Sequence, residues 1–490
     1  MNMKNLISKF LFLISLFILL PFMAFAHPNI EPVFTFNTET GITELSADEV
    51  FKLSLLFSEC PLESDLAKKC LKEFEKIKKE VTDSAFMNQS DEEKGKAVLK
   101  LLYRDYLKSY SANQTKTDVA LETGFYNCVS SALLYMAAAK ACNLNVKGQK
   151  ATEHALCSIY VPGAKQGQLK KIDVETTNPY GFNPGSMEAI ENSEEMKKYY
   201  IVPKKLYGNR QEVSDFIFAG LIAGNICTEC IKSGDYNRAI PLGAARYEVI
   251  RQESSRAAKE VRKDFDVLAS NYVNLCSESI NKYADVLNWY TSFIDRWGMT
   301  DFLQKNMDTS LNNLMVLCGR ENNYEFAEQY FNQFKGYVTE KQFKKSEEMK
   351  TNIFFNSKTK GLSYETQITI LNELINSEDN QSAVFQKTGN TFLENAWIFL
   401  LNDFMNRGDY LTGLKKSEEA KLQLPKSQKI QNMRQMFYRN CIAIIHNNFV
   451  KEANKGQYEK ALQIISEGLE LFPDDKSLKK DLTDLMKVME

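Results

Sequence analysis

The 490-residue chain is too long for one ordinary domain, and its length predicts about two to four. Its hydrophobic content of 44% is that of a globular protein with ample core material. The 61 basic and 63 acidic side chains nearly cancel, so there is no basic excess of the kind that nucleic acid or an anionic membrane surface demands.

Lys4 and Lys9 precede the apolar run FLFLISLFILL, which leads to Ala24-Phe25-Ala26. A positive start, an apolar middle and a small-x-small site predict a signal peptide over 1–26 and a mature chain beginning at His27. The run is short for a membrane-spanning helix. The expected location is therefore outside the cytoplasm, periplasmic or secreted, with no membrane association after cleavage. Ten cysteines in a chain of this length do not make a disulfide scaffold. Export does permit single bridges, and Cys60 and Cys70 are close enough in sequence to be a local pair.

Residues 27–45 read as extended, and 46–110 as helices. Ser46-Ala-Asp-Glu predicts a helix start, and Leu71, Phe74, Ile77 and Val81 recur at helical spacing. Residues 27–110 are thus expected to pack on a core domain spanning 111–205. Within it, the segment from Cys128 to Ala139 is apolar almost all round, which marks a buried helix that Asn127 can cap and Asn143 can end. Ala155, Cys157, Ile159 and Val161 alternate with His154, Leu156, Ser158 and Tyr160, a period of two, so His154 opens a strand. After the Pro162–Gly167 loop, Ile172 and Val174 face one way, and Asp173 and Glu175 the other. A β-hairpin on a buried helix is the expected arrangement, followed by a turn-rich loop from Asn178 to Gly185.

This stretch supplies a nucleophile, a base and an acid in order. Cys128 at a helix N-terminus is placed where free amides and the helix dipole favour a thiolate and could hold an oxyanion. His154 is the only histidine available to it, because His27 lies at the mature terminus and His446 far downstream. Asp173 would orient the imidazole. Glu175 shares its strand face, and a shift of hairpin register would make Glu175 the orienting acid instead.

Asn127-Cys128 followed by VSSALLYMAAAKACNLNV, then His154-Ala155, then Ile172-Asp173, resembles the transglutaminase-like superfamily of papain-like thiol enzymes over about 70 residues (120–185). The resemblance implies an α+β domain with Cys128 as nucleophile, His154 as base and Asp173 as orienting acid. It also implies an acyl-enzyme formed on an amide or ester carbonyl of a protein or peptide substrate, with no metal and no organic cofactor. Water as acceptor gives a peptidase or deamidase, and an amine gives a transamidase. This sequence departs from the family pattern at Leu156, where many members carry tryptophan, and in its long interval from His154 to Asp173.

Over 206–490 short helices and Gly-Asp-Tyr-like turns take over. Tyr236, Tyr324, Tyr410 and Tyr458 each precede a small residue by three, namely Ala239, Ala327, Gly413 and Ala461. Pro425 and Pro473 follow where second helices would end, and Trp397 stands where a first helix would begin. This resembles tetratricopeptide repeats, an all-α solenoid that binds a protein partner, with one degenerate pair expected in each of two wide gaps and Tyr364 as one marker. Cys227 and Cys230 fall on the first repeat helix and are expected to pack in its core. A non-enzymatic protein-binding scaffold, with an inactive transglutaminase-like module, is the alternative reading.

Overall fold

The computed structural model describes residues 27–37, 44–184, 209–251, 253, 255–277, 279–377 and 382–489. The expected signal peptide over 1–26 and the tail of the Asn178–Gly185 loop lie outside them. The chain is mostly helical, with one four-stranded sheet and one two-stranded pair among the described residues. It divides into two compact units: residues up to 278 with 285–303, and 279–284 with 304–490. The division falls well after the expected boundary at 205/206, because the first helices of the C-terminal part belong to the first unit.

In the first unit, helix α1 (Ala47–Phe57) starts at Ser46, whose hydroxyl caps Glu49 N–H while the Glu49 carboxylate reaches back. Helices α2 (Asp65–Val81), α3 (Ser84–Met87), α4 (Asp91–Asp105) and α5 (Thr117–Thr123) follow, with short strands β1 (Ser109–Tyr110) and β2 (Phe125–Tyr126) paired in parallel. Helix α6 (Cys128–Ala141) is the hub: Cys128 to Ala139 are all buried. It packs against α1, α2, α4 and α5, and lies on the sheet through β3 (Val146–Ala151) and β4 (His154–Pro162). It ends at Asn143, whose φ of 63° takes the left-handed turn that closes a helix.

The sheet has the order β5-β4-β3-β6, where β5 is Leu169–Val174 and β6 is Gln211–Val213, and every neighbouring pair is antiparallel. The expected hairpin is β4–β5, with Cys157 opposite Val174 and Ser158 opposite Asp173. Beyond the sheet come α7 (Asp215–Ala219), α8 (Leu221–Ser233), α9 (Tyr236–Ile250) and α10 (Arg256–Cys276). α7 packs on β3, and α8 packs on α6, which is why this first helical pair folds with the sheet. Residues 27–37 carry no helix or strand and are held side chain by side chain. His27 Nδ1 meets Tyr272 Oη at 2.8 Å and its Nε2 meets Asp285 at 3.0 Å. Trp289 Nε1 donates to Pro28 O at 2.7 Å.

All ten cysteines are thiols, so the expected Cys60–Cys70 bridge is not formed. Both are buried; Cys60 Sγ lies 3.7 Å from Ser64 Oγ, and burial, with Cys60 nearby, pushes the Cys70 thiol up to about 12. Cys227 and Cys230 are core residues of α8, as expected, with Cys227 Sγ 3.5 Å from Ala239 O on α9.

The chain continues through α11 (Ile280–Trp297) and α12 (Asp301–Glu321). The second unit then builds on α13 (Tyr324–Phe334), α14 (Glu340–Thr359), α15 (Tyr364–Ile375), α16 (Ala383–Arg407), α17 (Tyr410–Gln423), α18 (Gln428–Asn454), α19 (Tyr458–Leu471) and α20 (Lys476–Met489). Tyr236, Tyr324, Tyr410 and Tyr458 each occupy the first position of a helix. The turn before each uses a left-handed residue: Gly234, Asn322, Gly408 and Gly456, with φ of 76°, 54°, 73° and 74°. Ala239, Ala327 and Ala461 are fully buried, and a Cβ on Gly413 would lie 2.2 Å from the Phe437 ring. Pairs α10–α11 and α14–α15 fill the two wide gaps, and Tyr364 opens α15. α17 and α19 end two residues before Pro425 and Pro473. Trp397 is different: it sits in the middle of α16, which starts well before it, and donates to Gln423 at 2.9 Å.

Candidate active site

The first turn of α6 is built by Asn127. Its Oδ1 accepts from Val129 N at 2.9 Å and Ser130 N at 3.2 Å, while its own N–H donates to Ser130 Oγ at 3.0 Å. These bonds fix Cys128 as the first helical residue, 9% exposed, at the wall of a cavity of about 880 Å³. They also revise the expectation that the free helix amides serve an oxyanion. Asn127 already occupies the amides of Val129 and Ser130, which leaves the Cys128 N–H, without a backbone acceptor among the described residues, as the donor beside the sulfur.

His154 opens β4 with its side chain 1% exposed, and lines the same cavity. Its Nε2 meets Glu175 Oε2 at 2.7 Å, and the imidazole also hydrogen-bonds the Cys128 side chain. Burial pulls the imidazole down, but the bonds to Cys128 and Glu175 and the charges behind them outweigh it and push His154 up to about 10. The proton therefore stays on the ring across neutral pH.

The acid at the imidazole is Glu175, not the expected Asp173. Register explains the correction. Asp173 stands opposite Ser158, four residues up β4 from His154, or about 13 Å at the strand rise. Its carboxylate accepts from Ser158 Oγ at 2.8 Å and pairs with Arg210, which lies just before β6. Glu175 lies two residues nearer on the same face, within diagonal reach of the ring. It is fully buried, and its other oxygen, Oε1, accepts from Thr177 N at 3.1 Å and Thr177 Oγ1 at 2.8 Å. The loop after it folds back so that Glu175 N donates to Gly181 O at 2.8 Å and Val174 bridges Phe182. A Cβ on Gly181 would lie 1.8 Å from Glu175 O, so only glycine permits this return. Tyr126 Oη bonds Thr177 O at 3.1 Å and Ser131 Oγ bonds Thr176 Oγ1 at 2.9 Å, tying the loop to the elements that carry Cys128.

The remaining walls come from two places that the sequence did not mark. One is the loop over 111–116, fastened by Asn127 Nδ2 to Ala112 O at 3.2 Å and by Ser130 Oγ to Gln114 O at 3.1 Å. The other is α8, whose Asn225 Nδ2 donates to Thr115 Oγ1 at 3.0 Å across the cavity wall. Glu59 adds a third tie by pairing with both Lys116, at 2.8 Å, and Arg238. Burial raises the Glu59 carboxyl, and the two cations more than reverse it, leaving it below the usual range. Of the other histidines, His27 is bound as above, and His446 pairs with Asp481 at 2.7 Å within the second unit. Among the described residues no three metal-ligating side chains converge.

A thiol at a helix start, an imidazolium beside it and a buried carboxylate behind that can carry out nucleophilic attack with proton return. Comparison with protein-family models, with curated proteins and with solved structures returns no match.

Proposed function

We propose that the protein is an exported thiol enzyme of transglutaminase-like type, acting on amide or ester bonds through an acyl-enzyme, with tetratricopeptide-like helices that bind a protein. The observation that carries it is the Cys128–His154 pair at the wall of one cleft, with Glu175 buried behind the imidazole. Cys128 attacks the carbonyl, and the imidazolium beside it favours the thiolate and delivers its proton to the leaving group. Glu175 orients the ring through Nε2 and stabilises its charge, the part first given to Asp173. Export rests on the sequence of 1–26.

Labelling with iodoacetamide near pH 6, followed by mapping of the modified cysteine, tests this. Burial pushes the Cys142 and Cys318 thiols up to about 11 and those of Cys70 and Cys227 up to about 12, so these should stay unlabelled. Rapid modification of Cys128 alone is expected, and His154→Ala should slow it at least about tenfold. A Cys128 that labels no faster than its buried neighbours returns the protein to the scaffold reading.

A further inference from the structure

A second cavity, of about 360 Å³, opens between α8, α9 and α10 beside the Cys128 cleft. The two share Lys150, Leu221, Asn225 and Thr228 in their walls, so they adjoin along α8. The charged residues lining the smaller one are Lys150, Arg246, Lys263 and Asp264, three cations to one anion. Arg246 is 8% exposed, and its Nη1 donates to Asp264 Oδ2 at 3.1 Å. That partner is loose, with 61% of its side chain in solvent. Arg246 Nε has no acceptor among the described residues. An unmet donor on a buried cation is destabilising, and such groups are rare unless something else supplies the acceptor. Gly224 on α8 makes room for the guanidinium: a Cβ there would stand 3.3 Å from Arg246 Cζ. Lys263 is exposed and has no carboxylate within ion-pair distance among the described residues, while Lys150 reaches Glu260 at 3.5 Å.

We infer that this cavity is a carboxylate subsite, in which Arg246 at the floor and Lys263 and Lys150 at the mouth receive a carboxylate carried by the substrate away from its reacting carbonyl. The guanidinium fork matches a planar carboxylate. Calling the ligand a substrate rests on the thiol-enzyme reading; the binding of the carboxylate does not.

The test uses the full chain with Cys128→Ala, so that binding is read without turnover. Glutarate, glutaramide and inorganic phosphate are titrated by calorimetry. Glutarate is expected to bind, with glutaramide at least about tenfold weaker. Arg246→Met should weaken glutarate at least about tenfold, and Lys263→Glu, on an exposed residue that does not risk the fold, by a similar factor. Equal binding of the diamide, tighter binding of phosphate, or glutarate affinity unchanged in Lys263→Glu would overturn the subsite. Loss of rapid Cys128 labelling in the native chain, with glutarate binding intact, overturns the thiol-enzyme reading alone. Labelling with no glutarate binding overturns the subsite alone.

Discussion

The imidazole of His154 sits between a thiol and a carboxylate, and each neighbour favours the charged ring. An exchange of Glu175 for glutamine keeps the shape and removes the charge. Glu175→Gln is therefore expected to slow Cys128 alkylation near pH 6 at least about tenfold. Asp173→Asn should change that rate less than about threefold and stability by about 1 kcal/mol or less, because the Asp173–Arg210 pair is partly exposed. The reverse pattern would restore Asp173 as the orienting acid. The raised His154 also predicts a pH dependence of folding. Its unfolded value is about 6.5 and its folded value about 10. The folded state holds the proton more tightly, so the contribution is complete below about pH 6.5 and is lost as pH rises towards 10. Thermal midpoints of the native chain should fall across that window. His154→Gln should lack this part of the slope, and identical slopes would refute it.

At the scale of elements, several glycines carry close approaches that any side chain would disturb, Gly413 and Gly181 among them. Gly413→Ala gains about 1 kcal/mol of helix propensity, but its Cβ would meet the buried Phe437 ring at 2.2 Å. Overpacking of this kind costs about 1–3 kcal/mol, and Phe437 has no room to yield, so the second unit should melt lower. An unchanged or raised midpoint would show that α17 and α18 can move apart freely. Gly181→Ala should be worse for the site than for the fold, since it displaces the backbone of Glu175. Much of this architecture was legible from residues. Asn127 and the apolar run after it announced α6, and the Tyr–small pairs announced the helix starts of the C-terminal part. β3 was not legible: Val146 to Ala151 reads VKGQKA, and its buried Gln149 and Gly148 carry no apolar alternation. Gly148 is there because Phe218 of α7 fills the place of its side chain, a tertiary reason that no local pattern contains. The choice between Asp173 and Glu175 was open for a similar cause. It depends on pairing Pro162 with Leu169, and the turn-rich loop between them fixes no register by itself.

At the scale of the whole molecule, the residues that line the Cys128 cleft, from Tyr110 to Arg238, all belong to the first unit. This has a consequence for where the chain can be cut. A boundary at 205 cuts β6 from the sheet and separates the rest of it from α7 and α8. It would uncover Phe216, Phe218 and Ile222, which are at most 4% exposed, together with the cleft wall that Asn225 ties to Thr115. It would also remove Asp215, whose carboxylate is 1% exposed and pairs with Lys140 of α6 at 2.8 Å. Loss of one partner from so buried a pair costs about 3–5 kcal/mol, comparable to the whole stability of a small domain. A protein spanning 27–303 keeps all of these, along with the ties of His27 to Tyr272 and Asp285. We expect 27–303 to fold cooperatively and to label at Cys128 at the rate of the full chain, within about threefold. The piece spanning 27–210 should be expanded or aggregated. Circular dichroism melts and the iodoacetamide rate on both pieces make the comparison. A well-folded 27–210 with a reactive Cys128 would show that β3, β4, β5 and α6 are self-sufficient without β6, and that α8 covers the cleft without helping to build it.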